Sequence, residues 1–499
     1  MKHSQIKLGA IISYIAIFFN IGAGLIYTPW MIRQIGVSDY GLYSLMGAFL
    51  SYFLIDFGLG STIARFIAKF RAEGNESKIK IMLGVTSRIY LLLDLIILFV
   101  LTLIFFFLSN IFVELTATEI EKLKVIYLIA GFFSLFSFPL TPVSGAMIAY
   151  ERFIVLKFSD LLQKILTITF MVIAIFLGHG LFALVFINGI VGFGIKLFNF
   201  FYIKRKEQLN IDFKHFDLTM AKELFSFSSW IFIIGIAQRL LLNIVPSILG
   251  ILSGSKQIAI FSIALTLENF IFSFANALNG LFLPKVTRMS VNNSNRGQIS
   301  NLMIRVGRIQ LFILGLIIIG IIVFGKSFLK LWIGEEFIQS YYVLLFLVVP
   351  SIIHLTQQIA NDLLYAVNEV KYRAFLFIIA SVLSVIIGAV LAPSLGAIGT
   401  AIGVGIALVL CHEVGMNIVY SKVLKLDIRK FFKSVHLKMF LPFLISGGIS
   451  TIGQIFIKID NWYSFIFSTG IFVIIYVFLL WKFVLNDDEK FVILSTMRN

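Results

Sequence analysis

Apolar residues along this chain gather into long unbroken blocks, and each block ends in a short polar or basic stretch. A helix needs about 20 mostly apolar residues to cross a bilayer core. On that rule fourteen spans are expected, at 8–32, 39–63, 85–108, 125–148, 158–178, 180–201, 227–250, 257–283, 303–325, 340–367, 375–391, 396–420, 439–457 and 462–484. A transmembrane barrel would instead need alternating segments about 10 residues long. The pattern predicts an all-α integral membrane protein whose backbone satisfies itself as helix.

Charge gives the orientation. With the amino terminus inside, and residues near a span end assigned to that side, cytoplasmic segments hold 33 of the 41 Lys and Arg, outer loops hold 7, and only Arg239 lies deep. Basic loops stay cytoplasmic, so both termini are expected inside. The five Trp all fall at span ends, where amphipathic rings prefer to sit. A net charge of +16 therefore reflects topology, and no nucleic-acid partner is needed to explain it. Mean hydropathy of +1.00 leaves no room for a soluble domain of ordinary composition. The single Cys, Cys411, rules out an internal disulfide or a Cys-based metal site. The first span is too long for a signal-peptide core and lacks a small-residue cleavage site, so it reads as a retained helix.

The chain repeats itself weakly. Gly36 and Tyr43-Ser44 match Gly254 and Phe261-Ser262 at an offset of 218, Glu151 matches Glu369 at the same offset, and Gly180 and Gly189 match Gly396 and Gly405 at 216. Six spans return a chain to its starting side, so the repeat predicts two parallel six-helix bundles, 1–217 and 218–435, followed by an extra helix pair and cytoplasmic tail at 436–499. Such bundles belong to carriers that alternate access around a central cavity.

Polar stripes mark where that cavity would lie. In span 8, Ser262, Thr266, Asn269, Ser273 and Asn276 recur on one helical face, and span 2 repeats the register with Ser44, Ser51 and Thr62. Small polar residues also serve helix packing in lipid, and that alternative stays open. Span 1 carries Asn20, and span 10 carries His354, Gln357, Gln358, Asn361 and Asp362. Arg239, with Asn243 one turn on, is costly in hydrocarbon unless it meets water, a carboxylate or a bound anion. Its planar fork could grip a phosphate, and an internal ion pair with Asp94 or Glu268 is the competing role. The substrate-binding candidates are thus Arg239, Asn20, Ser51, Asn243, Asn269, Asn276, Gln357 and Asn361. Candidates for coupling or ion pairing are Asp56, Asp94, Glu268, His354 and Glu413. Lys196 and Arg65 lie near enough to span ends to reach the membrane surface.

Other motifs fail on context. The glycines from Gly396 to Gly405 open a membrane helix, so they form no dinucleotide loop, and His412-Glu413 lacks the second His of a zinc-protease helix. There is no phosphate-binding loop for ATP.

Tyr27-Thr28-Pro29 through Gly36, Asp39-Tyr40-Gly41-Leu42-Tyr43-Ser44, Asp56-Phe57-Gly58-Leu59-Gly60 through Arg65, and the stretch from Phe324-Gly325-Lys326 to Glu336-Phe337 together resemble the polysaccharide-exporter branch of the multidrug/oligosaccharidyl-lipid/polysaccharide superfamily, specifically O-antigen flippases of the Wzx type. The resemblance implies a MATE-like fold and a carrier that moves an undecaprenyl-diphosphate-linked oligosaccharide from the inner to the outer leaflet of the bacterial cytoplasmic membrane. It implies no catalysis and no cofactor, with H+ or Na+ as the open choices of coupling ion. Its partners would be the polyprenyl-diphosphate-linked glycan, the lipid bilayer and other polysaccharide-assembly membrane proteins. Members often carry an Asp in mid-span 7, where this chain has Leu242-Asn243. Two alternatives are a cation-coupled multidrug exporter, whose cavity would favour carboxylates over Arg239, and a membrane glycan polymerase or ligase, which usually needs a larger outer loop than any here.

The charge split makes a direct prediction: reporters fused after residues 215 and 335 should report opposite sides of the membrane, the first cytoplasmic. Matching sidedness would overturn the topology.

Overall fold

In the computed structural model of the protein, residues 2–51, 59–209, 217–276, 282–291, 296–486 and 490 are described. Regular structure among them is helical throughout. By contacts the chain forms two compact units, Met1–Ser262 with Gly388–Gly396, and Ile263–Ile387 with Ala397–Asn499.

The first unit contains α1 (Lys2–Ile35), α2 (Val37–Ser51), α3 (Leu59–Ala72), α4 (Glu76–Ile111), α5 (Ala117–Ser137), α6 (Pro142–Ala149), α7 (Phe153–Phe176), α8 (Leu181–Lys206), α9 (Leu218–Leu242), α10 (Ile244–Leu252) and the start of α11 (Ser255–Asn276). In it α1 packs on α7, α3 on α6, α5 on α8 and α2 on both α5 and α10. The second unit contains the rest of α11, then α12 (Leu283–Val291), α13 (Arg296–Trp332), α14 (Gln339–Thr356), α15 (Gln358–Ala366), most of α16 (Lys371–Ala407), α17 (Met416–Lys422), α18 (Ile428–Phe432), α19 (Lys438–Phe456) and α20 (Trp462–Phe483). Here α13 packs on α14 and α20, α12 on α15 and α19 on α20.

Among the described residues, eleven helical runs are long and apolar enough to cross a membrane. One of them, Lys371–Lys422, merges the expected spans 11 and 12, and non-helical backbone at Gly396 marks their junction. Expected spans 2 and 8 are not among the eleven, and each includes positions outside the described residues, 52–58 and 277–281.

The repeat is visible in the backbone. Left-handed φ occurs at Gly36 (87°), Glu151 (56°), Gly178 (82°) and Gln208 (48°), and again at Gly254 (82°), Asn368 (60°), Gly396 (55°) and Lys425 (55°). Each pair is 217 or 218 residues apart. Backbone geometry thus pairs Gly396 with Gly178, where sequence matching had paired it with Gly180. It pairs Glu151 with Asn368, the residue before Glu369. The packing of α3 on α6 recurs as α12 on α15.

Helix starts and ends explain much of the remaining polarity. A capping box opens α5: the Thr116 hydroxyl accepts from the Glu119 amide, and Glu119 Oε2 accepts from the Thr116 amide at 2.9 Å. Glu119 Oε1 also accepts from the hydroxyls of Ser38 and Ser255, near the starts of α2 and α11. Those two helices approach so closely there that a Cβ on Gly41 would sit 2.2 Å from the Ser255 carbonyl oxygen.

At the other ends, the last carbonyls of a helix lack intrahelical partners, and basic side chains supply them. Arg71 Nη1 donates to the Ala149 carbonyl ending α6 at 3.0 Å, and its guanidinium lies over the Tyr150 ring. Lys196, expected to reach the membrane surface, donates instead to the Ser137 carbonyl ending α5, at 3.3 Å. Arg308 of α13 is 5% exposed and donates to the Val484 carbonyl just past α20 at 2.7 Å and to the Ser434 carbonyl at 2.9 Å. That side chain ties the segments flanking α19 and α20 to the longest helix they touch.

Truncating Arg308 would leave buried carbonyls unsatisfied, at about 1–3 kcal/mol each. Arg308→Ala should therefore lower the thermal unfolding midpoint of the purified protein, and Arg308→Lys should lower it less. An unchanged midpoint in the Ala variant would show that Arg308 does not hold the C-terminal helices.

Candidate functional site

The first candidate cluster sits where α9 gives way to α10. Pro246 has no N–H, and its ring crowds the carbonyl four residues back, at Leu242. Helix α9 ends there, and Asn243 forms the junction. Arg239 and Asn243, one turn apart, both reach Ser51 of α2. Arg239 Nη1 donates to the Ser51 carbonyl, and Asn243 Nδ2 donates to Ser51 Oγ at 3.0 Å. Ser51 Oγ in turn donates to the Ala48 carbonyl at 2.6 Å. Three sequence-derived candidates, Ser51, Arg239 and Asn243, thus form one hydrogen-bonded group. Arg239 bonds the backbone of α2 in it, a contact that neither phosphate binding nor ion pairing anticipated. No special signal marked this in the sequence, because the contact is with backbone 188 residues away.

Other candidates in the first unit stand apart from that group. Asn20 is half-buried on α1, and Asp94 is half-buried on α4 with its Oδ1 lacking a hydrogen-bond partner among the described residues. Asp56 lies outside the described residues.

On α11, Asn269 is exposed and donates to the Leu265 carbonyl at 2.8 Å, while Ser273 donates to the Asn269 carbonyl at 2.8 Å. Both polar side chains therefore bond back along their own helix. Glu268 beside them is buried, at 4% exposure. Asn276 lies on the same helix, and its side chain lies outside the described residues.

The second unit brings together His354, Gln357 and Glu413. The His354 backbone amide donates to Glu413 Oε1 at 3.2 Å, and Gln357 Nε2 donates to Asn417 Oδ1 at 2.8 Å. The Asn417 amide group donates back to the Glu413 carbonyl. The His412 ring joins the cluster, with its centroid 5.3 Å from that of His354. Sequence reasoning missed His412 and Asn417. Their signal was the spacing from Glu413 to Asn417, one helical turn inside an apolar span.

This architecture recurs in solved structures. The lipid II flippase MurJ in an inward closed conformation superposes with a TM-score of 0.71 at 15% identity, over 94% of this chain and 98% of that one. An inward-facing multidrug-resistance MATE transporter of the MOP superfamily gives 0.62 at 14% identity, over 82% and 98%. A MOP superfamily transporter from Pyrococcus furiosus gives 0.57 at 12% identity, over 82% and 94%. Identities this low establish the shared fold alone. No curated protein sequence matches the chain. A family model described as polysaccharide biosynthesis protein matches residues 6–290, more than half the chain. The chain belongs to that family. As a member of the polysaccharide biosynthesis protein family, it carries its Ser51–Arg239–Asn243 group wholly within the matched residues.

If spans 1, 2, 7 and 8 line a water-filled cavity, cysteines placed at Asn20, Ser51, Asn269 and Asn276 in a Cys411→Ser background should react with water-soluble thiol reagents. Uniform protection in every state of the protein would assign the polar stripes to helix packing.

Proposed function

We propose that this protein is a flippase that carries a polyprenyl-diphosphate-linked oligosaccharide from the cytoplasmic to the outer leaflet of the bacterial cytoplasmic membrane. The repeat-related halves 1–217 and 218–435 would be the bundles that alternate access, and the pair beyond 436 an accessory. The reading rests on family membership together with one observation: a half-buried guanidinium within the matched residues that is held by a neutral carbonyl. A diphosphate offers charged oxygens that a guanidinium can grip two at a time, which a single neutral carbonyl does not offer. Substrate would therefore compete with the Ser51 carbonyl for Arg239. Winning that competition releases the Ser51 backbone of α2 from Arg239, and differential binding of this kind can shift a carrier between two states. The glycan would meet the polar stripes, and the polyprenyl tail would stay in lipid. The MATE and MurJ folds support transport as the class of activity, since the chain shares their architecture over most of its length.

Arg239→Ala should reduce export of surface polysaccharide about tenfold or more, the effect of losing one charge-assisted hydrogen bond. Arg239→Lys keeps the charge without the fork and should retain partial export. Normal export by the Ala variant at matched protein level would remove Arg239 from the site. Rescue of that variant by a second substitution at Glu268 or Asp94 would assign Arg239 to an internal ion pair instead.

A further inference from the structure

Three irregularities of the second unit meet at one place. Helix α14 stops at Thr356, Gln357 leaves helical geometry (φ −107°, ψ 22°), and α15 resumes at Gln358. The segment Leu408–Gly415, between α16 and α17, is wound as a π-helix, and so is Lys433–Leu437, between α18 and α19. π-Helices are rare and appear frequently at functional sites. Both face the break. Glu413 of the first accepts from the His354 amide, and His436 of the second lies 3.2 Å from Thr356 Oγ1 through its Nε2.

Burial there is nearly complete: Gln357 is 1% exposed, His412 4% and Glu413 8%. Yet Gln357 Oε1, Glu413 Oε2, Asn361 Oδ1 and His412 Nε2 are all buried without a hydrogen-bond partner among the described residues. Three of these four atoms are carbonyl or carboxyl oxygens. What the cluster lacks is a donor. Arg373 of α16 does not supply it: its guanidinium donates to the Tyr365 hydroxyl at 3.1 Å and lies 5.2 Å from the centre of the Phe377 ring. It makes no ion pair with Glu413 or Asp362 among the described residues. The groups that face the site are His354 on α14, Asp362 and Tyr365 on α15, Arg373 on α16, Tyr420 on α17, and His412 and His436 on the two π-helices.

We propose that the break in span 10 is a proton-exchange site, with Glu413 as its carboxyl and His412 and His354 as its relay. Uptake turns a hydronium ion and the Glu413 carboxylate into water and a carboxylic acid; release reverses the step. The acid form gains an O–H donor in a cluster that holds unpaired acceptors, which suits the closed, dry state. The carboxylate form leaves a buried charge without a cation, which favours opening the break to water. Broken helix and π-segments thus form a two-state element that proton occupancy biases. Only the use of that bias to drive transport rests on the flippase reading above.

Infrared pH-difference spectra of the purified protein in lipid nanodiscs test the site without any glycan. A titrating carboxylic-acid carbonyl band is expected, lost in Glu413→Gln, and its midpoint should move in His412→Gln, which covers the case in which the first variant does not fold. Persistence of every titrating band in Glu413→Gln, or an unmoved midpoint in His412→Gln, overturns the assignment. In cells, collapse of the pH gradient should depress polysaccharide export by the wild type and have no further effect on Glu413→Gln. If Glu413→Gln instead abolishes a response to the sodium gradient, the site takes sodium and the proton assignment falls. Absence of glycan export by the wild type would overturn the flippase reading and leave the infrared result standing.

Discussion

In hydrocarbon a helix end is the expensive part of a helix, because its last carbonyls have neither an amide nor water to bond. Basic side chains answer that need repeatedly here: Lys196 at the end of α5, Arg71 at α6 and Arg308 just past α20. Each is a cation placed where the helix dipole is negative.

The same constraint separates structural from functional polarity. A cation on a helix-end carbonyl is satisfied, and it is exchangeable only if a stronger acceptor arrives. Arg308 holds backbone of its own unit and is buried, so its role ends with structure. Arg239 is only half-buried and lies beside Asn243 and Ser51, which makes exchange chemically reasonable. The cluster around Glu413 is the opposite case: among the described residues it keeps buried acceptors that no side chain pairs.

Span positions were legible because about 20 apolar residues leave few alternatives to a membrane helix. The repeat was legible at Gly36 and Gly254, where a left-handed turn admits glycine most readily. Of the candidate site, the polar residues themselves were readable, since polarity inside an apolar span is conspicuous. Their partners were not. Arg239 to Ser51 joins residues 188 apart through backbone, and backbone acceptors carry no sequence signal. The π-helices were equally silent, because the one extra residue they carry per turn depends on what packs against them. His412 had meaning only beside His354, and the folded chain alone brings the two rings together.

The four left-handed positions that recur between the halves have a further consequence. Two of the pairs, Glu151 with Asn368 and Gln208 with Lys425, contain no glycine. A side chain in that conformation costs roughly 1–2 kcal/mol, so nothing about these residues selects the shape by itself. The letters at these turns have drifted apart while the torsion angles have not. The likeness between the two stretches is therefore carried by dihedral angles more than by amino acids.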